Sequence, residues 1–255
     1  MDIVLIGTGN TASVLGRKLK AAGHRIVQVY GRNSMNASEL AYELATESTN
    51  YWNVVTKDAD LYILAVSDIA VAEIVKELHF PGKIVVHTAA SVSKFILERT
   101  SEHYGVFYPL QSLRKEIQLL PETPMIIDAS DSSTLTQLEM LANSISDQVI
   151  VADDEKRKKV HLAAVFCNNF VNHLYALAEE YCKKEGIDFK LLLPLIMETA
   201  NRVEFTSPGV LQTGPAIRDD QSTMEEHVKL LESYPGMRKL YTLLSNSILE
   251  QNRNV

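Results

Sequence analysis

DIVLIGTGNTASVLGRKLKAA, residues 2–22, decides the fold. Ile3 to Ile6 form a short apolar run of the kind found in strands buried on both faces. Gly7-Thr8-Gly9-Asn10-Thr11-Ala12 follows without a spacer, and an apolar pattern of helical period begins directly after it. Strand, glycine turn and helix in that order are the context in which G-x-G-x-x-G/A carries information. Gly7 permits the tight turn, Gly9 keeps a side chain away from an approaching pyrophosphate, and Ala12 lets the helix pack close to the strand. The helix start then offers unpaired N–H groups to phosphate oxygens. An ordinary strand–turn–helix that binds nothing has the same local pattern.

The remainder of the chain sets bounds. With 255 residues, 46% hydrophobic and 22% charged, it can bury a sizeable core in one large or two modest domains. A net charge of −7 argues against nucleic acid and against an anionic membrane surface as partners. No stretch is long and apolar enough to cross a bilayer, and the first residues lack a basic leader, so a cytoplasmic protein is expected. Cys167 and Cys182 fall in one helical stretch, where about 1.5 Å per residue puts them roughly 22 Å apart, too far for a disulfide. They read as core thiols. No Cys/His cluster has zinc spacing, so no metal is expected.

Strands and helices alternate onward. Arg25–Tyr30 reads as a strand, and it ends in Gly31-Arg32-Asn33-Ser34. A site built for a free ribose 2′-hydroxyl has an acidic residue at such a strand end. Here a guanidinium stands there instead, which suits a 2′-phosphate and favours NADP over NAD. A helix is expected over about 36–45, a short strand near Trp52–Val55, then strands at Asp60–Val66 and Lys83–His87. Ala65, Val66 and Ser67 end the Asp60–Val66 strand, and ligands of parallel sheets sit at carboxyl ends. His87 also ends a strand, where it is either structural or part of a site. Strands at 105–108, 125–128 and 148–151 and a helix at 135–145 complete an eight-stranded, doubly wound α/β arrangement. Gln111, in the loop after the 105–108 strand, is a candidate polar wall of the crevice.

The pattern changes at Asp153. From there to Gly186 no proline or glycine interrupts a helical pattern, acidic residues open it and Lys183-Lys184 close it, as helix polarity favours. Further helices are expected at about 188–203, 222–233 and 236–252. The long stretch carries polar residues inside an apolar run. At about 100° per residue, Asn168 lies near −20° and Asn172 near +20° from His161, with Asn169 on the shoulder near +80°. Buried amides need partners, so the stripe marks either a ligand site or an interhelical network. Arg218, in the Thr213–Arg218 break between helices, either clamps a substrate anion or pairs with Asp219 or Asp220.

GTGNTA at 7–12, VYGRN at 29–33 and DLYILAVSD at 60–68, followed by a long polar-studded helix, resemble the 6-phosphogluconate-dehydrogenase-like superfamily. That group includes ketopantoate reductase, pyrroline-5-carboxylate reductase and the deazaflavin-dependent NADP reductases. More narrowly, HLAAVFCNNFVNHLYALAEE at 161–180, YPLQS at 108–112 and TGPAIRDD at 213–220 resemble a family of NADP oxidoreductases. Its members join a Rossmann-like domain to a helical domain of unknown function. In better-known relatives a Lys and an Asn on the long helix bind and protonate the substrate. The aligned positions here hold His161, with Val165 one turn on, and Asn169.

The resemblance implies a Rossmann-like dinucleotide-binding domain, residues 1–152, with a doubly wound, mostly parallel sheet. An all-α domain like the 6-phosphogluconate dehydrogenase C-terminal domain follows, residues 153–255, for substrate and dimerisation. The expected function is NADP(H)-dependent hydride transfer to or from a small carbonyl, imine or hydroxyl compound at the domain interface. A non-catalytic NADP(H)-binding redox sensor or partner-binding protein is the alternative. His161 is the expected acid–base group, since histidine titrates near neutral pH, and Asn169 the orienting one. Gly7, Thr8, Gly9, Asn10, Thr11, Ala12, Gly31, Arg32, Asn33, Ala65, Val66 and Ser67 are expected at the cofactor, and Gln111, Asn168 and Arg218 at the substrate. The partners expected are a small molecule and a second copy of the chain.

Overall fold

A computed structural model describes residues 1–253; residues 254 and 255, the end of the expected helical domain, lie outside the described residues. The chain forms two compact units, Met1–Asn169 and a second from Phe170 onward. The all-helical part begins at Asp154, so the first turns of the long helix belong to the unit that holds the sheet.

The first unit is built on β1 (Asp2–Ile6), β2 (Arg25–Tyr30), β3 (Glu47–Thr49), β4 (Leu61–Leu64), β5 (Ile84–His87), β6 (His103–Pro109), β7 (Met125–Ala129) and β8 (Val149–Val151). They form one sheet in the order β3-β2-β1-β4-β5-β6-β7-β8. Every neighbouring pair is parallel except β6 with β7. Helices α1 (Asn10–Ala21), α2 (Ser34–Leu44), α3 (Asp68–Ile74), α4 (Ser132–Asn143) and α5 (Asp154–Ala164) belong with it. Both faces of the sheet are covered, which is why β1 shows no polar alternation. Ile3 and Leu5 point into one core cluster with Leu15, Leu19 and Phe107, and Val4 and Ile6 into the other with Tyr62, Leu64 and Leu97.

Two expectations for this unit are corrected. The edge strand is Glu47–Thr49, and Trp52–Val54 is a turn of 3₁₀ helix. Trp52 is apolar because it stacks on Tyr30, with centroids 3.6 Å apart, not because it lies in the sheet. The long helix is also not uniform: α5 runs into π-helical turns at Val165–Phe170 before α6 (Val171–Lys184) begins.

The second unit continues from α6 with α7 (Leu193–Arg202), α8 (Gln221–Leu230) and α9 (Pro235–Arg253). Proline sits at the start of α7, where its missing N–H costs nothing. Asp220 caps α8 by accepting from Thr223 N at 3.1 Å, and Tyr181 meets Tyr234 edge-on. Among the described residues its buried apolar side chains are Cys182, Ala216, Met224 and Leu231. No described helix is long and apolar enough to cross a membrane.

Candidate active site

Parallel strands share a carboxyl edge, and the chain leaves β1 at that edge through the glycine turn. Gly7 donates to Tyr30 O at 2.8 Å and has φ +129. A Cβ there would lie 2.2 Å from Ala65 O, so the turn and the end of β4 approach as only glycine allows. Gly31 is held similarly, since its Cβ would lie 2.5 Å from Thr8 Cγ2. Gly9 differs. A Cβ on it would meet nothing within 4 Å, so its bareness serves open space and not packing. Gly9 also begins α1, and no side chain caps that end. The N–H groups of the first turn are thereby left facing outward.

That space is part of a cavity of about 450 Å³ lined by Gly7 through Thr11, Tyr30 through Asn33, Asn36, Ala65 through Ser67, Ala70 and Ile74. It lies where the sheet order reverses between β1 and β4, the crevice in which open α/β sheets hold ligands. Of the expected cofactor residues, all line it but Ala12, which is fully buried in the core between helix and sheet. Arg32 is exposed at its rim. Asn33 caps α2, accepting from Asn36 N at 3.0 Å. No Asp or Glu is among the lining residues. Tyr30, Asn36, Ala70 and Ile74 escaped the sequence reading. They follow from the helical spacing of 70 and 74 and from the turn into α2.

A second cavity, of about 250 Å³, lies at the end of β6 and is lined by Tyr108, Leu110, Gln111, Ser112, His161, Ala164, Cys167, Asn168 and Asn169. β6 is separated from β1 by β4 and β5 in an all-parallel run. Its carboxyl end therefore lies on the same edge as the glycine turn, about 14 Å along at roughly 4.8 Å per strand. One loop borders both places: Gln111 and Ser112 line the second cavity, and Lys115 N donates to Asn10 Oδ1 of the turn at 3.2 Å.

Tyr108 Oη lies 3.0 Å from His161 Nδ1, with the rings edge-on. The phenol is therefore fixed on one ring nitrogen, and Nε2 is the other hydrogen-bonding atom of the ring. Burial raises the Tyr108 pKa; the charge of Asp68 adds to the rise and that of Arg157 opposes it. Asn168 Nδ2 donates to Ser112 Oγ at 2.5 Å. Gln111 is engaged in its own loop, donating to Glu122 O at 3.0 Å and accepting from Ser112 N at 2.9 Å.

The widened turns decide which amides face His161. A regular helix would leave Asn169 on the shoulder, but π turns take up roughly one more residue each. Asn168 and Asn169 both come to the wall that holds His161. Asn172 is exposed on α6, in the second unit. Cys167 is exposed rather than a core thiol, and Cys182 is buried. Arg218 is exposed on a short turn in the second unit and lines neither of these cavities.

α5 is fastened to the sheet by Arg157, one turn before His161. Its guanidinium is fully buried. Nε donates to Ala90 O at 3.0 Å, and Nη2 to Val92 O at 2.5 Å and Asp154 Oδ1 at 2.8 Å. Beneath it His87 is fully buried, accepts from Ala89 N through Nδ1 at 3.2 Å, and has no partner at Nε2. Burial first, and the Arg157 charge second, push its pKa down to about 4. His87 is thus a neutral core residue and lines neither cavity. Among the described residues no group of three His, Cys, Asp or Glu side chains could hold a metal.

Residues 2–91 match the family described as NADP oxidoreductase coenzyme F420-dependent, and residues 123–248 match a domain of unknown function. Among solved structures, the putative NADP oxidoreductase BF3122 from Bacteroides fragilis is 44% identical, covers 98% of each chain and superimposes with a TM-score of 0.91. The 1-pyrroline-5-carboxylate reductase of Streptococcus pyogenes shares the fold at 16% identity, with a TM-score of 0.68 over 100% of this chain and 99% of that one. So does the reductive aminase of Aspergillus terreus solved with NADPH and ethyl-5-oxohexanoate, at 12% identity and a TM-score of 0.74 over 99% and 94%. No curated protein matches the chain in sequence.

Proposed function

Since the chain belongs to the NADP oxidoreductases that join a coenzyme-binding domain to a C-terminal domain of unknown function, we propose that it binds NADP(H) and passes hydride to or from a small carbonyl, imine or hydroxyl compound. The observation that carries this reading is the glycine-turn cavity. Its Gly9 is open to a phosphate, and the N–H groups at the start of α1 can hold the pyrophosphate. Arg32 and the start of α2 suit a 2′-phosphate, and no lining carboxylate is there to take a bare ribose hydroxyl. When bound, the reduced nicotinamide supplies the hydride.

The chain's own part is positioning and a proton. Arg157 holds α5 against the sheet edge, and Tyr108 fixes Nδ1 of His161. Nε2 is then the atom that gives a proton to the substrate heteroatom and takes one back in the reverse direction. Asn169 and Asn168 orient the reacting group by hydrogen bonds.

The second unit works as part of a homodimer. Leu191, Leu195, Met197, Phe205 and Val210 are 72%, 65%, 59%, 80% and 79% exposed, and large apolar side chains gathered in one stretch of surface mark an interaction site. A second copy offers the same apolar side chains for a symmetric contact.

The test is NADPH oxidation over a panel of small carbonyl compounds and imines, by wild type and His161→Ala. Loss of an acid–base group costs about 10²–10⁴ in rate. A variant as fast as wild type removes His161 from the mechanism. NADPH binding without turnover of any substrate favours the sensor.

A further inference from the structure

We infer that Lys115, on the loop between β6 and β7, is a second cation for the phosphate that distinguishes NADP(H) from NAD(H), and acts there together with Arg32. This rests on the NADP(H) reading above and deepens it by naming a specificity residue far from β1 and β2 in sequence. The path of the chain points to it. β6 and β7 are antiparallel neighbours, which a short hairpin turn can join. Residues 110–124 form a long loop instead, closed at its base where Leu110 N donates to Pro124 O at 2.8 Å. The loop runs away from β7 to the turn that follows β1, three strands from β6. Two contacts hold it there: Lys115 N donates to Asn10 Oδ1 at 3.2 Å, and Arg17 Nη1 of α1 donates to Ile117 O at 3.3 Å. Leu113 is buried. Closed and pinned surface loops of this kind commonly carry function.

Where the loop lands decides what Lys115 can reach. Lys115 lines a small cavity of about 170 Å³ that shares Thr8 and Asn36 with the coenzyme cavity. Thr8 lies against Gly31, the neighbour of Arg32, and Asn36 is in the first turn of α2. Gly9 and Thr11, where the pyrophosphate is placed above, line the coenzyme cavity but not the small one. Lys115 therefore stands nearer the 2′-phosphate end of the coenzyme than its pyrophosphate.

The charges agree with that placement. A phosphate monoester carries close to two negative charges at neutral pH, and Arg32 supplies one positive charge. Of the two cations lining the small cavity, Arg17 is paired with Glu43 and also feels the charge of Glu116. Lys115 has no ion pair among the described residues, and its ammonium makes no hydrogen bond there. Glu39 lines the same cavity as a single exposed charge, and a phosphate dianion competes well against it for an ammonium. A lysine is a mobile point charge and needs no fixed fork geometry to meet a phosphate.

The experiment titrates NADPH and NADH by calorimetry into full-length wild type, Lys115→Met and Lys115→Arg, at low and at raised salt. Both substitutions keep the backbone N–H that bonds Asn10, and thermal midpoints check that the fold is intact. The result expected is that Lys115→Met weakens NADPH by about fivefold or more and NADH by less than about twofold. Lys115→Arg should restore most of the preference for NADPH. The difference between wild type and Lys115→Met should shrink as salt screens an exposed charge. Unchanged NADPH affinity in a folded Lys115→Met overturns the inference. An equal loss for both nucleotides also overturns it, since the ammonium would then serve the pyrophosphate. Failure of wild type to bind NADPH appears before any variant is compared, and removes the cofactor reading together with this inference.

Discussion

Acid should weaken this fold through one residue more than any other of its kind. His87 is fully buried, and its imidazole pKa is pushed down to about 4, first by burial and then by the charge of Arg157; the Ser93 backbone and the charge of Asp154 oppose the shift without cancelling it. A histidine whose folded pKa lies below its unfolded value of about 6.5 is protonated more readily in the unfolded chain. Its neutral form therefore costs nothing above about pH 6.5, and stability is lost as the pH falls from there to about 4, at up to roughly 1.4 kcal/mol per unit. Integrated to pH 4.5 the loss is roughly 2–3 kcal/mol, a large fraction of the stability of an ordinary domain. The check is urea unfolding of wild type and His87→Asn at pH 7.5 and pH 4.5. Asn can still accept from Ala89 N, so the backbone contact survives. The other titrating groups are shared, among them His24, which burial also lowers, and Asp131, held down by its Thr134 hydrogen bonds. Wild type should lose roughly 2–3 kcal/mol more than the variant over this interval. Equal losses in the two proteins, with unchanged denaturant slopes, would show that His87 is not held neutral and would remove the argument about how α5 packs on the β5 end.

The two glycines of the opening turn should fail differently. Gly7→Ala sets a Cβ against Ala65 O at a backbone angle of φ +129, which costs about 2–4 kcal/mol and appears as a lower thermal midpoint. Gly9→Ala adds a Cβ that meets no neighbour, so the midpoint should hold while NADPH affinity drops by about tenfold or more; intact affinity would mean that the phosphate sits elsewhere. Light scattering should give the mass of two chains, and a single-chain mass at micromolar concentration would contradict the reading of the exposed apolar residues of α7 and the segments on either side of it.

The opening unit was legible because its signals are local: an apolar run, glycines at fixed offsets and a helical period, all within 21 residues. β3 was not, since Glu47-Ser48-Thr49 is a three-residue polar edge strand that buries little and leaves no hydrophobic pattern. Trp52 was misread for the opposite reason, its apolar character serving a ring stack on Tyr30. At the second cavity His161 and both amides stood out as polar residues in an apolar helix. Tyr108 did not, because a tyrosine in an apolar strand looks like core until its partner, 53 residues away, is seen at its hydroxyl. Arg157 was hidden in a run of charged residues that reads as solvated. The π turns at VFCNNF leave no signature in the residue types, although they decide which amides share a wall with His161.

The central claim is that a phosphorylated dinucleotide rests on the turn between β1 and α1, with Arg32 at its far end. Calorimetric titration of wild type and Arg32→Asp with NADPH and NADH tests it most directly. Wild type should bind NADPH at least about tenfold more tightly than NADH, a charge-assisted phosphate contact amounting to about 1.5–3 kcal/mol, and Arg32→Asp should abolish that preference while NADH binding persists. Negligible binding of both nucleotides by wild type would contradict the account at its root, and equal binding of the two would contradict the role given to Arg32.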